Sequence, residues 1–385
     1  MNINYKINEN GFSLIFRYIL PVLSFSIFLL ELRALTGANF QLLVIALAIA
    51  GWIIWLSDFG LIGLATILIE QDDIKSAWRL YLRRILSLFV FLLLLCLLSL
   101  QFSIPILVIA SVCLDLFTDS LINFRMFVVR NSKHIHWLIY KKITQILVLM
   151  ILILLFSKIG ILELSLVLAI PNFLILYMDL RTFRERLKDS NEKNIKYKIS
   201  LNWLQNGGTT FSGLDVAIIS HFRPEMLVIF ALAKKFTNFL SSGSGRFLDR
   251  TLREQNIISL KKFIYVVTFL SILCSLSFPL YAKFIIPNFE YSLHHHFVFA
   301  LIVCLTPLGI VTFHRNAVLL KKGKFFELVL INWISSAVYV GLIYYALKIE
   351  KSLTYFFIGY SFNLLLEAIC QKVLLVRVHR EGQND

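Results

Sequence analysis

The sequence predicts an all-α polytopic membrane protein with about twelve transmembrane helices in two six-helix bundles and both termini in the cytoplasm. Composition, apolar segment lengths and the placement of basic residues support this prediction. The chain has 385 residues, of which 58% are hydrophobic and only 16% are charged. Soluble domains are about half apolar and about a quarter charged, so this chain is built for lipid.

Twelve apolar stretches are long enough to cross a bilayer, which requires about 20 helical residues. These stretches are 11–30, 40–69, 84–101, 104–124, 140–157, 160–179, 199–220, 226–245, 263–282, 296–314, 325–347 and 352–371. The first ends at Glu31 without a small-residue cleavage site, so we expect a retained helix. We interpret residues 1–180 as one six-helix bundle, 181–198 as a basic cytoplasmic linker and 199–385 as the second bundle.

The distribution of Lys and Arg sets the orientation. With the N-terminus inside, thirty of the 38 basic residues, including Lys141 and Lys142, fall in inner segments and six in outer loops. This asymmetry follows the positive-inside rule and accounts for the net charge of +15 without nucleic acid. It also requires 226–245 to span the membrane, since omitting that helix would invert every later loop.

Span 226–245 carries two adjacent lysines in the stretch EMLVIFALAKKFTNFLSSGSGR. Lys234 is about ten residues from either end, which at about 1.5 Å per residue places it roughly 15 Å deep. Lys234, Asn238 and Ser241 follow helical spacing and form one polar stripe, whereas Lys235 points about 100° away and is the weaker candidate. Charges at this depth normally face protein or water, although both lysines can also snorkel or pair with a carboxylate.

The preceding span, 199–220, is also polar. It contains the amides Asn202, Gln205 and Asn206 and the acid Asp215. These amides can line a watery cavity or simply join helices. Asp215 is a candidate for coupling to protons or cations, or for pairing with a lysine.

The first half contains further candidates at membrane depth. Asp58 interrupts an apolar helix, and Asp115 and Asp119 are one helical turn apart. These two acids can line the cavity, or Asp119 can pair with Arg125. Arg17 lies near the start of the first span, where it can snorkel or reach an anionic ligand.

Other chemistry is not indicated. The chain has no P-loop, dinucleotide-binding, HExxH or nucleophile-elbow motif, so we predict no catalytic residues and no enzyme activity. The five cysteines are scattered within apolar segments, and the triplet 294–296 of histidines has no partnering ligands, so no metal or cofactor is predicted. Glu367, close to Gln371, is interpreted as a solvated or paired helix end. Twelve spans, short loops and a polar interior are the layout of a transporter.

Three stretches resemble polysaccharide-export flippases. The first is LELRALTGANFQLLVIALAIAGWIIWLSDFGLIGLATILIE, with a small outer turn and a D-[FL]-G-[LI] element. The family usually has Gly after the aromatic residue of that turn, where this chain has Gln41 after Phe40. The others, GLDVAIISHFRPEMLVIFALAKKF and RNAVLLKKGKFFELVLIN, are similar to the family's seventh-to-eighth and tenth-to-eleventh helices.

The resemblance implies a Wzx-type flippase of the multidrug/oligosaccharidyl-lipid/polysaccharide (MOP) superfamily, with a MATE-like fold in a bacterial inner membrane. Such a protein moves an undecaprenyl-pyrophosphate-linked oligosaccharide, an O-antigen or capsule repeat unit, to the periplasmic leaflet by alternating access. It works beside a polymerase and a chain-length regulator, with H⁺ or Na⁺ as the coupling ion.

The resemblance also implies roles for the candidate residues. Lys234, Lys235 and Arg17 would meet the diphosphate, and Asn202, Gln205, Asn206 and Asn238 the sugars. Asp215, Asp58, Asp115 or Asp119 would couple transport to the ion. The alternatives are a multidrug, organic-cation antiporter of the same fold and a polytopic polysaccharide polymerase or assembly protein.

Overall fold

A computed structural model describes residues 3–58, 79–80, 83, 86–87, 89–90, 106–129, 135–156, 158–187, 214–241, 257–285, 292–322, 324–348 and 353–381. The described residues of the first half contain helices α1 (Ile3–Ala34), α2 (Gly37–Asp58), α3 (Ile106–Val129), α4 (Ile135–Phe156) and α5 (Ile161–Leu187). Those of the second half contain α6 (Leu214–Phe222), α7 (Pro224–Ser241), α8 (Ile257–Ile285), α9 (Leu293–Cys304), α10 (Thr306–Lys321), α11 (Phe325–Lys348) and α12 (Leu353–Glu381).

Eleven of the twelve predicted spans contain a described helix, and the third, 84–101, lies largely outside the described residues. Helices α9 and α10 form one span, since the Leu305 N–H between them still donates to the Leu301 carbonyl at 3.1 Å. Within the described ranges, six helices are long and apolar enough to cross a membrane by length and composition. The prediction of an all-α protein is confirmed.

The chain divides into two compact units, residues 1–204 and 205–385. The predicted linker, 181–198, falls mostly outside the described residues, although α5 continues to Leu187. The domain boundaries therefore stay a prediction.

In the first unit, α1 packs against α4, and α3 lies between α2 and α5. Aromatic side chains fill the core: Phe40 and Phe117 are almost completely buried, and the rings of Phe28 and Phe40 meet edge to face at 5.7 Å. Large apolar side chains such as Leu154, which is 82% exposed, cover the outer faces. So much exposed apolar surface fits a helical protein whose outer faces contact lipid.

In the second unit, α9 packs against α7 and α8, and α12 packs against α10 and α11. Phe278 and Phe299 stack at 4.2 Å in its core. The short helix α6 turns into α7 at Arg223, whose N–H donates to the Ile219 carbonyl at 2.8 Å. This turn lets α6 lie against both α7 and α11 and so brings their polar residues together.

Candidate functional site

A polar cavity lies within the second unit, between α6, α7, α11 and α12. Its volume is about 190 Å³. Two acids, one base and a set of amides, hydroxyls and phenols make up most of its lining: Asp215, Lys234, Asn332, Ser335, Ser336, Tyr339, Tyr360, Asn363, Leu364 and Glu367. All the described lining residues belong to these four helices.

An ion pair between Asp215 and Lys234 forms one wall of the cavity. The Lys234 ammonium group donates a hydrogen bond to Asp215 Oδ2 and lies 4.7 Å from the ring centre of Phe230. The Asp215 side chain is only 1% exposed, whereas the Lys234 side chain is 32% exposed. Both side chains line the cavity, and Lys234 is the more exposed of the two.

Two further donors hold the Asp215 carboxylate. The Tyr339 hydroxyl donates to Oδ2 at 2.7 Å, and the Val216 N–H in the first turn of α6 donates to Oδ1 at 2.6 Å. A buried carboxylate needs such partners because burial removes its hydration. Asp215 stays anchored to α6 and α11 even if Lys234 moves.

Helices α11 and α12 each present a polar stripe to the cavity. On α11 the stripe is Asn332, Ser335, Ser336 and Tyr339, at helical spacing i, i+3, i+4 and i+7. On α12 it is Tyr360, Asn363 and Glu367. The rings of Tyr339 and Tyr360 meet edge to face at 5.8 Å, which fixes the two helices side by side at this level.

Two amides of this cavity have open hydrogen-bonding capacity. Among the described residues, neither Asn332 Oδ1 nor Asn363 Oδ1 has a hydrogen-bond partner, although both atoms are buried. Buried polar atoms in proteins are almost always paired, so two such atoms on one cavity indicate places for ligand or water.

Glu367 adds a second acid to the cavity. Its Oε1 accepts hydrogen bonds from Gln371 Nε2 at 2.8 Å and from Asn316 Nδ2 at 3.3 Å. It was interpreted from the sequence as a solvated or paired helix end. It is paired with amides, but it lines the cavity rather than bulk solvent.

The first unit contains a separate cluster of charges, formed by Asp115 and Asp119 of α3 and Lys141 and Lys142 of α4. Lys141 pairs with both acids, at 2.9 Å to Asp115. Lys142 lies 3.4 Å from Asp115 and 3.0 Å from Asp119. Two amides, Gln145 at 2.6 Å and Asn172 at 3.0 Å, donate to Asp115 Oδ1. We call these four charged and two amide residues the charge cluster.

The charge cluster bears on two expectations. Asp119 pairs with Lys141 and Lys142, and its suggested pairing with Arg125 stays a prediction, because the Arg125 side chain lies outside the described set. The two lysines were counted among the basic inner segments, yet both are buried between helices. Their place among the inner segments stays a prediction, whereas their pairing depends on helix packing, because Asp115 and Lys141 are 26 positions apart. The remaining basic residues keep the same asymmetry.

The other predicted site residues are placed as follows. Asn238 is exposed on α7 and does not line the cavity, and Lys235, beside Lys234, is half-buried and does not line it either. Asn202, Gln205 and Asn206 lie outside the described residues. Arg17 and Asp58 belong to α1 and α2, but their side chains are not among those described. Their roles stay predictions.

Sequence reasoning missed the cavity residues of α11 and Asn363. The spacing of Asn332, Ser335 and Ser336 in the sequence was the available signal. No three His, Cys, Asp or Glu side chains of the described residues come together to hold a metal ion.

Comparison of the sequence with protein families and with curated proteins gives no match. Solved structures do match the fold along nearly the whole chain. A MATE transporter in complex with MaD3S has a TM-score of 0.58 at 14% identity, covering 96% of each chain. The MATE multidrug transporter DinF-BH has a TM-score of 0.56 at 15% identity, covering 95% of this chain and 92% of its own.

A third structure is a MOP superfamily transporter from Pyrococcus furiosus, with a TM-score of 0.55 at 15% identity and 95% of both chains covered. For that protein, a reversed polarity of the binding pocket suggests a different function. The present chain has the fold of MATE-type transporters. At these identities the likeness concerns the fold alone. The prediction of an all-α, multi-pass membrane protein with a MATE-like fold is confirmed.

Proposed function

We propose that the chain is a flippase that carries an undecaprenyl-pyrophosphate-linked oligosaccharide, an O-antigen or capsule repeat unit, to the periplasmic leaflet of a bacterial inner membrane. It catalyses no covalent step and needs no cofactor. It uses alternating access, coupled to H⁺ or Na⁺, and works with a polymerase and a chain-length regulator. The MATE-type fold supports membrane transport.

The observation that carries the proposal is the asymmetry of the Asp215–Lys234 pair. A ligand that enters the cavity meets the ammonium group of Lys234, because the Asp215 carboxylate is almost completely shielded. An anionic diphosphate can therefore form an ion pair with Lys234, whereas an organic cation cannot reach Asp215 without displacing the lysine. The amides and hydroxyls of α11 and α12 suit the sugars.

A second candidate function, an organic-cation antiporter, is favoured by Glu367. Its carboxylate lines the same cavity, and its described partners there are neutral amides rather than a lysine or arginine. DinF-BH, a multidrug transporter with this fold, makes such a function plausible for the fold class. The flippase proposal predicts that transport depends on Lys234, whereas the antiporter candidate predicts that it depends on Glu367.

The experiment is replacement of Lys234 in cells that lack the chromosomal copy. Lys234→Ala is expected to abolish polysaccharide display, because the head group loses its cation, while the protein stays in the membrane at normal level. Lys234→Arg should retain most display. Polysaccharide extracted from the cells is compared by gel with membrane content by immunoblot. Lys322→Ala, which changes an exposed lysine in the turn after α10, is the matched control.

Full display with Lys234→Ala would contradict the flippase proposal. The antiporter is tested in the same strains by resistance to organic cations. If Glu367→Gln abolishes such resistance and Lys234→Ala leaves display intact, the chain is a cation antiporter.

A further inference from the structure

We propose that the facing stripes of α11 and α12 form a subsite for a single sugar ring, held by the side-chain amides of Asn332 and Asn363. This inference rests on the proposed function, because it assigns the part of the same substrate that lies next to the diphosphate. Neither Asn332 nor Asn363 is among the site residues predicted from the sequence.

The strongest support is the burial of an unpartnered amide. Asn332 is only 4% exposed, and its Oδ1 has no partner among the described residues. Asn363, on the neighbouring helix, has the same open acceptor on the same cavity. The oxygen and nitrogen of an amide can exchange places on flipping, and either end can bond a hydroxyl group, which donates and accepts. A polyhydroxylated ligand satisfies both amides in either orientation.

The cavity size favours a small ligand. Its volume is about 190 Å³. Pockets that enclose drug-sized ligands are larger, about 300–1,000 Å³. A single pyranose ring fits this space, whereas the remaining sugars of a repeat unit must lie outside it.

The position of the subsite matches a ligand with an acidic group beside its hydroxyl groups. Lys234 lies on the same cavity as the two asparagines. An apolar ligand would leave both amides unpaired, which disfavours its binding. A sugar joined to a phosphate can pair its anion with Lys234 and its hydroxyls with Asn332 and Asn363 at the same time.

The test measures binding to the purified full-length protein in lipid nanodiscs. The ligands are undecaprenyl diphosphate without sugar and the same lipid carrying one glucose, galactose or N-acetylglucosamine. At least one sugar-bearing lipid is expected to bind tighter than the sugar-free lipid. Asn332→Ala and Asn363→Ala should each reduce that advantage about tenfold and change the affinity for the sugar-free lipid less than about twofold.

Ser277→Ala is the control, since Ser277 bonds only carbonyls of its own helix, α8, in the described structure. Because Asn332→Ala changes a buried residue, thermal melting is measured for each variant. If that variant does not fold, Asn363→Ala decides, since Asn363 is less buried.

The subsite is overturned if no sugar improves binding, or if the asparagine variants weaken both kinds of lipid equally. The proposed function fails separately, if Lys234→Ala leaves the affinity for sugar-free undecaprenyl diphosphate unchanged. Tighter binding of the sugar-bearing lipid that is lost only in the asparagine variants supports the subsite.

Discussion

Each unit contains acid–lysine pairs between apolar helices, but the two sets differ in access. In the charge cluster of the first unit, the lysines are the buried partners, with Lys141 completely buried and Lys142 9% exposed, whereas Asp119 is 27% exposed, and each acid contacts both lysines. In the second unit, a third of the Lys234 side chain is exposed to a cavity with unpartnered amides. We therefore expect the charge cluster, which we call closed, to join helices and the Asp215–Lys234 pair, which we call open, to be available to a ligand.

The balance of charge explains why the first unit's cluster can be closed. Two carboxylates and two ammonium groups neutralise each other, and Gln145 and Asn172 fill remaining acceptor positions on Asp115. A buried pair with its bonds satisfied tolerates a dry interior, whereas removal of one partner leaves an uncompensated charge. The cluster is thereby a poor site for an incoming ion.

Loss of one lysine from the closed cluster should give the largest change in stability. Lys141→Met leaves Asp115 and Asp119 with a single lysine. The expected loss is about 3–5 kcal/mol of folding free energy, as for other broken buried pairs. Membrane content and the thermal midpoint of the purified protein measure it. Lys322→Met, at an exposed turn, should change neither, and equal stability of the two variants would show that the cluster does not hold the helices together.

Removing both charges of an ion pair should distinguish the cavity pair from the charge cluster more clearly than removing one charge. Asp215→Asn with Lys234→Gln keeps the shape and removes both charges, so the protein should fold while lipid flipping falls about a hundredfold, corresponding to about 2.7 kcal/mol. Asp119→Asn with Lys142→Gln should keep flipping within about threefold, because similar-shaped neutral pairs often replace buried ion pairs without loss.

Flipping is measured in proteoliposomes with a fluorescent undecaprenyl-diphosphate saccharide and a membrane-impermeant quencher. Equal loss of flipping in the two double variants would mean that the closed cluster also takes part in transport. Retained flipping in the Asp215–Lys234 double variant would remove the cavity pair from substrate binding.

The sequence was sufficient to predict the described helices but only one side of the cavity. Apolar length and basic asymmetry predict α7 as a span despite Lys234, and pairing of Asp215 with a lysine is one of the two stated options. The polar stripe of α11 was harder to recognise, because Ser335 bonds the Asn332 carbonyl of its own helix at 3.2 Å, as serines in ordinary membrane helices do. The role of this stripe depends on the register of α11 against α12, which the spacing of residues within one helix does not reveal.

The charge cluster shows the same limit. Lys141 and Lys142 lie about two turns after the start of α4. Basic residues near the end of a span ordinarily indicate its cytoplasmic side. Only the packing of α4 against α3 turns them inward toward Asp115 and Asp119. Local sequence thus predicts membrane depth, whereas partners across helices require the tertiary structure.

Tyr339 offers the finest test of how firmly the open pair is held. Tyr339→Phe removes the hydroxyl that donates to Asp215 at 2.7 Å and leaves the ring in place. Hydrogen bonds to charged groups contribute about 1.5–3 kcal/mol, so stability should fall by that amount, less than for Lys141→Met. Deprived of one donor, Asp215 should hold Lys234 more strongly, and affinity for the anionic lipid should fall about threefold.

Tyr344→Phe is the matched control, because Tyr344 lies on the same helix and its hydroxyl accepts a hydrogen bond from Lys348 at the exposed end of α11. Melting curves and lipid titrations of the two variants in nanodiscs make the measurement. A rise in lipid affinity in Tyr339→Phe would contradict this prediction. It would mean that the Tyr339 hydroxyl keeps the lipid away from Lys234, instead of weakening the ion pair between Asp215 and Lys234. If lipid affinity is unchanged and stability is lowered, Tyr339 only joins helices, which is the role expected of the charge cluster.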